Sequence, residues 1–96
     1  MKYKIEHLIN RSYQAIQKRG LITDNTNKND FILKIREEYE EVVNEYCLEN
    51  DERYIKELSD LVTVCWMQMV NMGIDPVKEF ENTVIKNEKR ALNINK

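Results

Sequence analysis

Apolar side chains recur every three or four residues along four segments of the chain, a spacing that places them on one face of an α-helix. These segments cover residues 3–19, 30–48, 53–72 and 76–92. Gly20 and Gly73 follow the first and third segments as helix stop signals, and Asn29 or Asp30 can cap the second. The pattern therefore predicts an all-α fold of four helices, in a single domain that spans residues 1–96.

The third predicted helix differs from the others because its apolar residues are not confined to one face. They are Ile55, Leu58, Leu61, Val62, Val64, Cys65, Trp66, Met67, Met69 and Val70. This distribution predicts a central, buried helix. The other helices of one short chain cannot cover it on every side, so we expect a homo-oligomer, most simply a dimer whose paired helices form one bundle.

The second and fourth helices each show a single apolar stripe. In the second helix the stripe consists of Phe31, Ile35, Tyr39, Val42, Val43 and Tyr46. In the fourth helix, which Asp75 and Pro76 open as N-cap and first-turn proline, it consists of Val77, Phe80, Val84 and Ala91. Both stripes are expected to pack inwards.

Charge is distributed unevenly along the 96 residues. The whole chain has 15 basic and 17 acidic side chains, a balance that provides no basic surface for nucleic acid. Residues 37–60, in contrast, hold ten acidic side chains and only two basic ones. This acidic middle third must be either solvated or neutralised by a bound partner.

Targeting signals and cysteine motifs are not evident in the sequence. No segment is apolar enough to span a bilayer, and the first ten residues lack the apolar core of a secretory signal, so we expect a cytoplasmic protein without a membrane partner. Cys47 and Cys65 form no metal or redox motif and are predicted to be small core residues. His7, the single histidine, is predicted to lie on the surface.

Four carboxylates stand out from the other acidic residues by their position on the helices. Glu38 and Glu41 lie one turn apart at the border of the apolar face of the second helix, whereas Glu37 and Glu40 point to solvent. Glu57 and Asp60 are also one turn apart, on the apolar third helix, where an unpaired carboxylate is costly. Oxygen ligands without His or Cys suit Mg²⁺. The alternative is that the first pair is solvated and the second pairs with another subunit.

Three sequence blocks in a fixed order resemble the MazG-type all-α nucleoside triphosphate pyrophosphohydrolases. The first is REEYEEVVNEY, with an EExxE motif; the second is KELSDLVTVCWMQMVNMGIDP, with an ExxD motif; the third is IKNEKRA, with a basic KNxxR motif. Each block alone is weak, but their ordered combination with the GIDP turn is fairly specific. The resemblance covers roughly residues 15–92.

The resemblance implies a four-helix, Mg²⁺-dependent enzyme, with Mn²⁺ as an alternative cofactor. Its reaction is hydrolysis of a nucleoside triphosphate between the α and β phosphates, which clears nucleotides from the pool and releases pyrophosphate. Carried over by position, the metal ligands are Glu38, Glu41, Glu57 and Asp60, with Glu38 or Glu41 also catalytic, and the substrate contacts are Lys86, Asn87 and Arg90. Family members assemble as dimers or as dimers of dimers, consistent with the cover that the third helix requires.

Two alternatives to this interpretation follow from the same residues. Phosphoribosyl-ATP pyrophosphohydrolase belongs to the same superfamily and shares the EExxE and ExxD blocks. It ranks second because its usual Arg-His ending is replaced here by KNEKRALNINK. A non-catalytic helical module that oligomerises or binds a nucleotide is the other alternative, although such a module has no need for Glu57 and Asp60 within its central helix.

Overall fold

Four α-helices make up the regular structure of residues 4–94, the part of the chain that the computed structural model describes. They are α1 (Ile5–Lys18), α2 (Lys28–Cys47), α3 (Asp51–Asn71) and α4 (Pro76–Ile94). The described residues contain no strand, so the all-α prediction is confirmed. The predicted boundaries are correct to within about two residues, although position 3, the predicted start of the first helix, lies outside the described residues.

Local side-chain bonds determine where the helices begin. The Asn27 side chain accepts a hydrogen bond from the backbone N–H of Asp30. The Asp30 side chain accepts one from the backbone N–H of Asn27, so the two residues form a capping box. The prediction of Asn29 or Asp30 as the N-cap was therefore wrong, because Asp30 occupies the third helical position. Asp75 caps α4 as predicted, with Oδ1 accepting from the Val77 N–H at 3.0 Å.

The most extensive packing joins α2 to α3, which run antiparallel because only a short turn connects them. Glu49 in that turn adopts a positive φ of 57°. A small core lies where α1 and the loop after it contact this hairpin. Its buried residues are Ile9, Ile22, Phe31 and Met67. The amide of Asn71 also donates to the Tyr13 hydroxyl at 3.2 Å, which connects α1 to the end of α3.

The single chain does not cover α3 on every side, which agrees with the expectation that the other helices of one chain cannot bury it. Met67 is the one fully buried residue of this helix, while Ile55 is 64% exposed and Val62 is 44% exposed. The reason is that α3 packs mainly against α2, while its contact with α1 involves residues 64–70. A large part of the α3 apolar surface therefore faces outwards.

The predicted inner stripes are also only partly buried. In α2, Tyr39, Val43 and Tyr46 are exposed, although Phe31 and Val42 are buried as expected. In α4, only Val77 packs against the core, whereas Phe80, Val84 and Ala91 are exposed. Beyond Val77, the described side chains of α4 are all exposed.

The two cysteines and the single histidine differ in their exposure to solvent. Cys47 is exposed and Cys65 is half-buried, so the prediction that both are core residues is wrong for Cys47. His7 is exposed, as expected. Among the described residues, no helix is both long and apolar enough to cross a bilayer.

Candidate metal centre

Three glutamates converge at the middle of the α2–α3 hairpin. One carboxylate oxygen from each of Glu38, Glu41 and Glu57 lies within 4.8 Å of the other two. We call this group the glutamate trio. Glu38 is buried, Glu57 is half-buried and Glu41 is exposed, so the trio extends from the interior to the surface.

Helix geometry explains why these three side chains meet. Residues three apart lie on adjacent turns of the same face, which aligns Glu38 with Glu41 on α2. Since α3 runs back along α2, Glu57 lies opposite this face. Each helix therefore presents carboxylates to the other, where two apolar helices would normally pack with aliphatic side chains.

Glu38 is the most buried carboxylate of the described residues, at 7% exposure. Its Oε1 forms an ion pair with the Lys34 ammonium at 3.2 Å, one helical turn earlier. Its Oε2 is buried and accepts no hydrogen bond from the described residues, and the same holds for Oε2 of Glu57. Unsatisfied carboxylate oxygens in the interior are costly, so this arrangement favours a cation at the site.

The proximity of these carboxylates changes their protonation. Burial raises the pKa of the Glu38 carboxyl above its ordinary 4.5, an effect that Lys34 opposes and the charge of Glu41 reinforces. The pKa of Glu41 is raised as well, first through its close side-chain contact with Glu57 and then through partial burial. A divalent cation removes the need for these protons, because it neutralises the same oxygens directly.

Asp60, the fourth predicted ligand, is not among the carboxylates that converge. It is exposed and lines a cavity of about 340 Å³ together with Glu38. The cavity lies between the end of α1, the loop that follows, and the facing sides of α2 and α3. Its other lining residues are Ile16, Arg19, Leu21, Ile22, Thr26, Asp30, Phe31, Lys34, Thr63, Val64 and Met67. The structure thus brings three of the four predicted ligands together and places the fourth on the adjoining cavity.

The remaining acidic residues of α2 follow the predicted division. Glu37 and Glu40 are exposed, and Glu37 pairs with Lys34 at 3.3 Å. Glu45, one turn beyond Glu41, is half-buried and its Oε2 has no hydrogen-bond partner among the described residues. It lies outside the trio.

The predicted substrate-contacting residues lie elsewhere in the chain. Lys86, Asn87 and Arg90 are exposed on the outer part of α4. Within residues 4–94, α4 contacts α1 and α3 but not α2, and none of these three residues lines the cavity. One copy of the chain therefore does not bring them to the glutamates.

Lys34 is the residue of the site that sequence reasoning missed. It lines the cavity and pairs with both Glu37 and Glu38. Partial burial alone lowers the pKa of Lys34, but its hydrogen bonds with these two carboxylates outweigh that effect and leave the pKa raised. The spacing of four residues between Lys34 and Glu38 was the available signal, since such pairs face each other on a helix.

Comparison with known proteins identifies one family. The phosphoribosyl-ATP pyrophosphohydrolase family model matches residues 3–88. Neither the curated proteins nor the solved structures provide a match. The sequence interpretation had ranked this family second, and the more specific MazG-type assignment is not confirmed. Since the match covers the acidic helices and most of α4, the chain belongs to the phosphoribosyl-ATP pyrophosphohydrolase family, whose members hydrolyse an acid anhydride of a nucleotide.

Proposed function

We propose that this protein is a Mg²⁺-dependent enzyme that hydrolyses the bond between the α and β phosphates of a nucleotide, releasing pyrophosphate. The observation that supports this most directly is the glutamate trio, whose oxygens lie within 4.8 Å of one another inside a helical hairpin. The family match supports the same reaction class.

The donor set fits the proposed cation. Mg²⁺ binds carboxylate oxygens at about 2.0–2.1 Å, so ligands of one ion lie within roughly 4 Å of each other. The trio is close to that spacing, and it contains buried oxygens without hydrogen-bond partners. Glu38, Glu41 and Glu57 would hold the ion, and Asp60, one turn further along α3 from Glu57, lines the same cavity as Glu38. When bound, Mg²⁺ polarises phosphoryl oxygens and makes a bound water more acidic.

The roles of the protein side chains follow from their exposure. In the reaction, a water oxygen forms a bond to the α phosphorus and the bond from that phosphorus to the bridging oxygen breaks. Glu41 is exposed, so it can accept the proton of the attacking water. Burial and the ion pair with Lys34 hold the Glu38 side chain in one position, as a metal ligand requires. Both were predicted as catalytic residues, and we assign the proton to Glu41 on grounds of access.

Two substrates fit this reaction. The family match favours phosphoribosyl-ATP, and the MazG-like motif order favours a nucleoside triphosphate. Both carry the same triphosphate, and both are cleaved at the same bond. A mixed-polarity cavity of about 340 Å³ beside Glu38 lies at the lower end of the size range of small-molecule sites, and we place the rest of the nucleotide on this side of the trio.

We also propose a homodimer, or a tetramer built from two dimers, as the active assembly. Exposed apolar side chains on α3 and α4, among them Ile55, Val62 and Phe80, provide the surface that a second copy would cover. In such an assembly Lys86, Asn87 and Arg90 of one copy can approach the carboxylates of the other. The cleft would then form between subunits.

The decisive experiment incubates the purified protein with Mg²⁺ and either phosphoribosyl-ATP or one of the common nucleoside triphosphates. We expect release of pyrophosphate together with a nucleotide monophosphate, and no single phosphate, as judged by chromatography of the products. Pyrophosphate from phosphoribosyl-ATP alone would identify the family substrate. Inactivity on every substrate with both Mg²⁺ and Mn²⁺ would contradict the enzyme proposal and favour a non-catalytic helical module.

Thermal unfolding provides a test that needs no substrate. A cation that binds the folded chain raises its melting temperature by mass action. We expect millimolar Mg²⁺ to raise the melting temperature of the wild type but not of Glu57→Gln. An unchanged wild-type melting temperature at saturating Mg²⁺ would contradict the metal site.

A further inference from the structure

The cavity beside the trio contains two cationic side chains, Arg19 and Lys34. Lys34 is the one in direct contact with the site, since its ammonium lies 3.2 Å from Oε1 of Glu38. Its side chain is 48% exposed, so the amine is accessible from solvent as well as from the cavity. The only role given to this amine so far is to hold Glu38 in place.

The excess negative charge of the proposed complex favours a cationic side chain at this position. The trio and Asp60 carry about four negative charges when ionised, and a nucleoside triphosphate brings about four more. One or two Mg²⁺ ions supply only two or four positive charges, so at least four negative charges remain. Within residues 4–94, the cations of α4 do not reach the cavity of the same chain.

Distance permits a contact between Lys34 and the substrate. Two oxygens bound to one Mg²⁺ ion are separated by no more than about 4 Å. A phosphate oxygen that shares an ion with Glu38 therefore lies close to the atom that Lys34 already touches. The lysine stem is long and has several rotatable bonds, so its amine can turn from Glu38 to that phosphate.

We propose that Lys34 binds the phosphate chain of the substrate and is thus a substrate-binding residue of the active site. In the free protein its ammonium forms an ion pair with Oε1 of Glu38. In the complex the metal neutralises Glu38, and the amine is released to the phosphates. This inference rests on the proposed function, because it requires a phosphorylated substrate at the trio.

The alternative is that Lys34 has a purely structural role and only keeps Glu38 in place for the cation. The two roles differ in the sign of one measurement. If Lys34 serves the substrate, removing its positive charge leaves the binding of a free cation unchanged or tighter, because a repulsive charge is lost. If it only orients Glu38, removing it weakens cation binding.

The experiment compares Lys34→Met, Lys34→Gln and Lys34→Arg with the wild type. The first removes charge and hydrogen bonds, the second keeps a donor for Glu38 without charge, and the third keeps the charge. Lys78→Met is the matched control, because Lys78 forms an exposed ion pair with Glu81 at 3.2 Å on α4, outside the cavity. Circular dichroism verifies that each variant folds, and Lys34→Gln decides the question if Lys34→Met does not.

Two binding measurements and one kinetic measurement provide the result. Binding of Mn²⁺ alone, and of pyrophosphate in the presence of Mg²⁺, is measured by calorimetry, and KM and kcat are measured on the nucleotide that the wild type hydrolyses. For Lys34→Met and Lys34→Gln we expect the pyrophosphate Kd and the KM to rise about tenfold or more, with Mn²⁺ binding not weakened. Lys34→Arg should recover most of the affinity, and Lys78→Met should match the wild type.

The outcomes that contradict the proposal are distinct from a failure of the proposed function. Weaker Mn²⁺ binding in Lys34→Gln, in proportion to the loss of pyrophosphate binding, would overturn the substrate contact. Unchanged pyrophosphate binding and KM in both neutral variants would overturn it as well. If the wild type itself bound neither Mn²⁺ nor pyrophosphate, the proposed function would fail first, and the role of Lys34 with it.

Discussion

The two helices of the α2–α3 hairpin and helix α4 have similar lengths but pack differently in this fold. Within the hairpin, each helix covers one side of the other, and the chemistry lies at their contact, where Glu38, Glu41 and Glu57 meet. By contrast, α4 packs only through its beginning and exposes both its apolar stripe and its basic residues. The hairpin helices thus pack mainly against each other, whereas the described side chains of α4 beyond Val77 are exposed in the single chain.

This difference separates two parts of the proposed active site. The acidic part is assembled by local connectivity, because a short turn forces α2 and α3 together. In the proposed dimer, the basic part on α4 would come from the second copy. Changes in the hairpin should therefore affect chemistry directly, whereas changes in α4 should act through assembly and can be complemented between chains.

The largest effect is expected from Glu57→Gln in the hairpin. Loss of one trio charge should lower kcat by about 10³-fold or more, because the cation loses a ligand. Helical content should persist, and stability without Mg²⁺ should not fall, since a half-buried charge beside Glu41 is removed. Steady-state kinetics and circular dichroism measure the two effects. Glu52→Gln, at an exposed α3 site paired with Lys56, is the control, and equal activity of both variants would remove Glu57 from the site.

The next largest effect is expected from Phe80→Asp in α4. Phe80 is 57% exposed in the single chain, and a charge at that position cannot be buried in an interface. We expect the dimer to dissociate about 100-fold more readily, with activity lost at low protein concentration. Sedimentation measures the assembly, and Asn82→Asp introduces the same charge at another exposed α4 position. A Phe80→Asp protein that remains dimeric would show that α4 is not the interface.

Arg90→Ala tests whether α4 serves the other copy. We expect KM to rise about tenfold through loss of a phosphate contact, with Lys89→Ala as the neighbouring control. At substrate concentrations well below KM, mixing Arg90→Ala chains with Glu57→Gln chains should then restore roughly a quarter of the activity, because half of the dimers would contain one intact site. No restoration on mixing would contradict a site shared between two copies.

A smaller effect concerns pH and the stability of the hairpin. The pKa values of Glu38 and Glu41 are raised above 4.5, so the folded chain binds these protons more tightly than the unfolded chain. This contribution to stability is complete below pH 4.5 and is lost as the pH rises through the raised pKa values. The increase in melting temperature caused by Mg²⁺ should therefore be larger at about pH 8 than at about pH 5. An equal increase at both values would contradict the coupling of these carboxyls to the cation.

The smallest effect is expected from Asn27→Ala at the start of the hairpin. Loss of the capping box should lower the free energy of unfolding by about 1 kcal/mol without changing kcat. Urea unfolding measures the difference. Asn29→Ala is a sharp control, because Asn29 lies two residues further along and makes no cap. If Asn29→Ala were the more destabilising variant, the helix would begin later than the structure shows.

Sequence reasoning predicted the helices well because their signals are local. Gly20 and Gly73 both adopt positive φ at the predicted helix ends, and the Asp75 cap lies where the sequence places it. The N-cap of α2 was wrong because Asn27, Asn29 and Asp30 are all capable residues, and only the backbone path selects among them. Local propensity limits a boundary to a few residues and does not decide between them.

The glutamates were also predictable, since their spacing on each helix already separates inward from outward carboxylates. Lys34 and the position of Asp60 were not predicted, because they depend on how two helices align rather than on either helix alone. Inward packing of the apolar stripes of α2 and α4 was overestimated for a related reason. An apolar stripe indicates that a surface is to be covered, but it does not say whether the cover comes from the same chain.

The small interior of this fold has a consequence for the amount of protein that survives in a cell. Within residues 4–94, only Ile9, Ile22, Phe31, Val42 and Met67 are buried hydrophobic residues. A single copy with so little buried surface gains little free energy on folding, so unassociated chains should be open to proteases. In the proposed dimer, association would stabilise the folded state by an amount that grows with the logarithm of the chain concentration. The level of active protein should therefore rise more steeply than the rate of its synthesis.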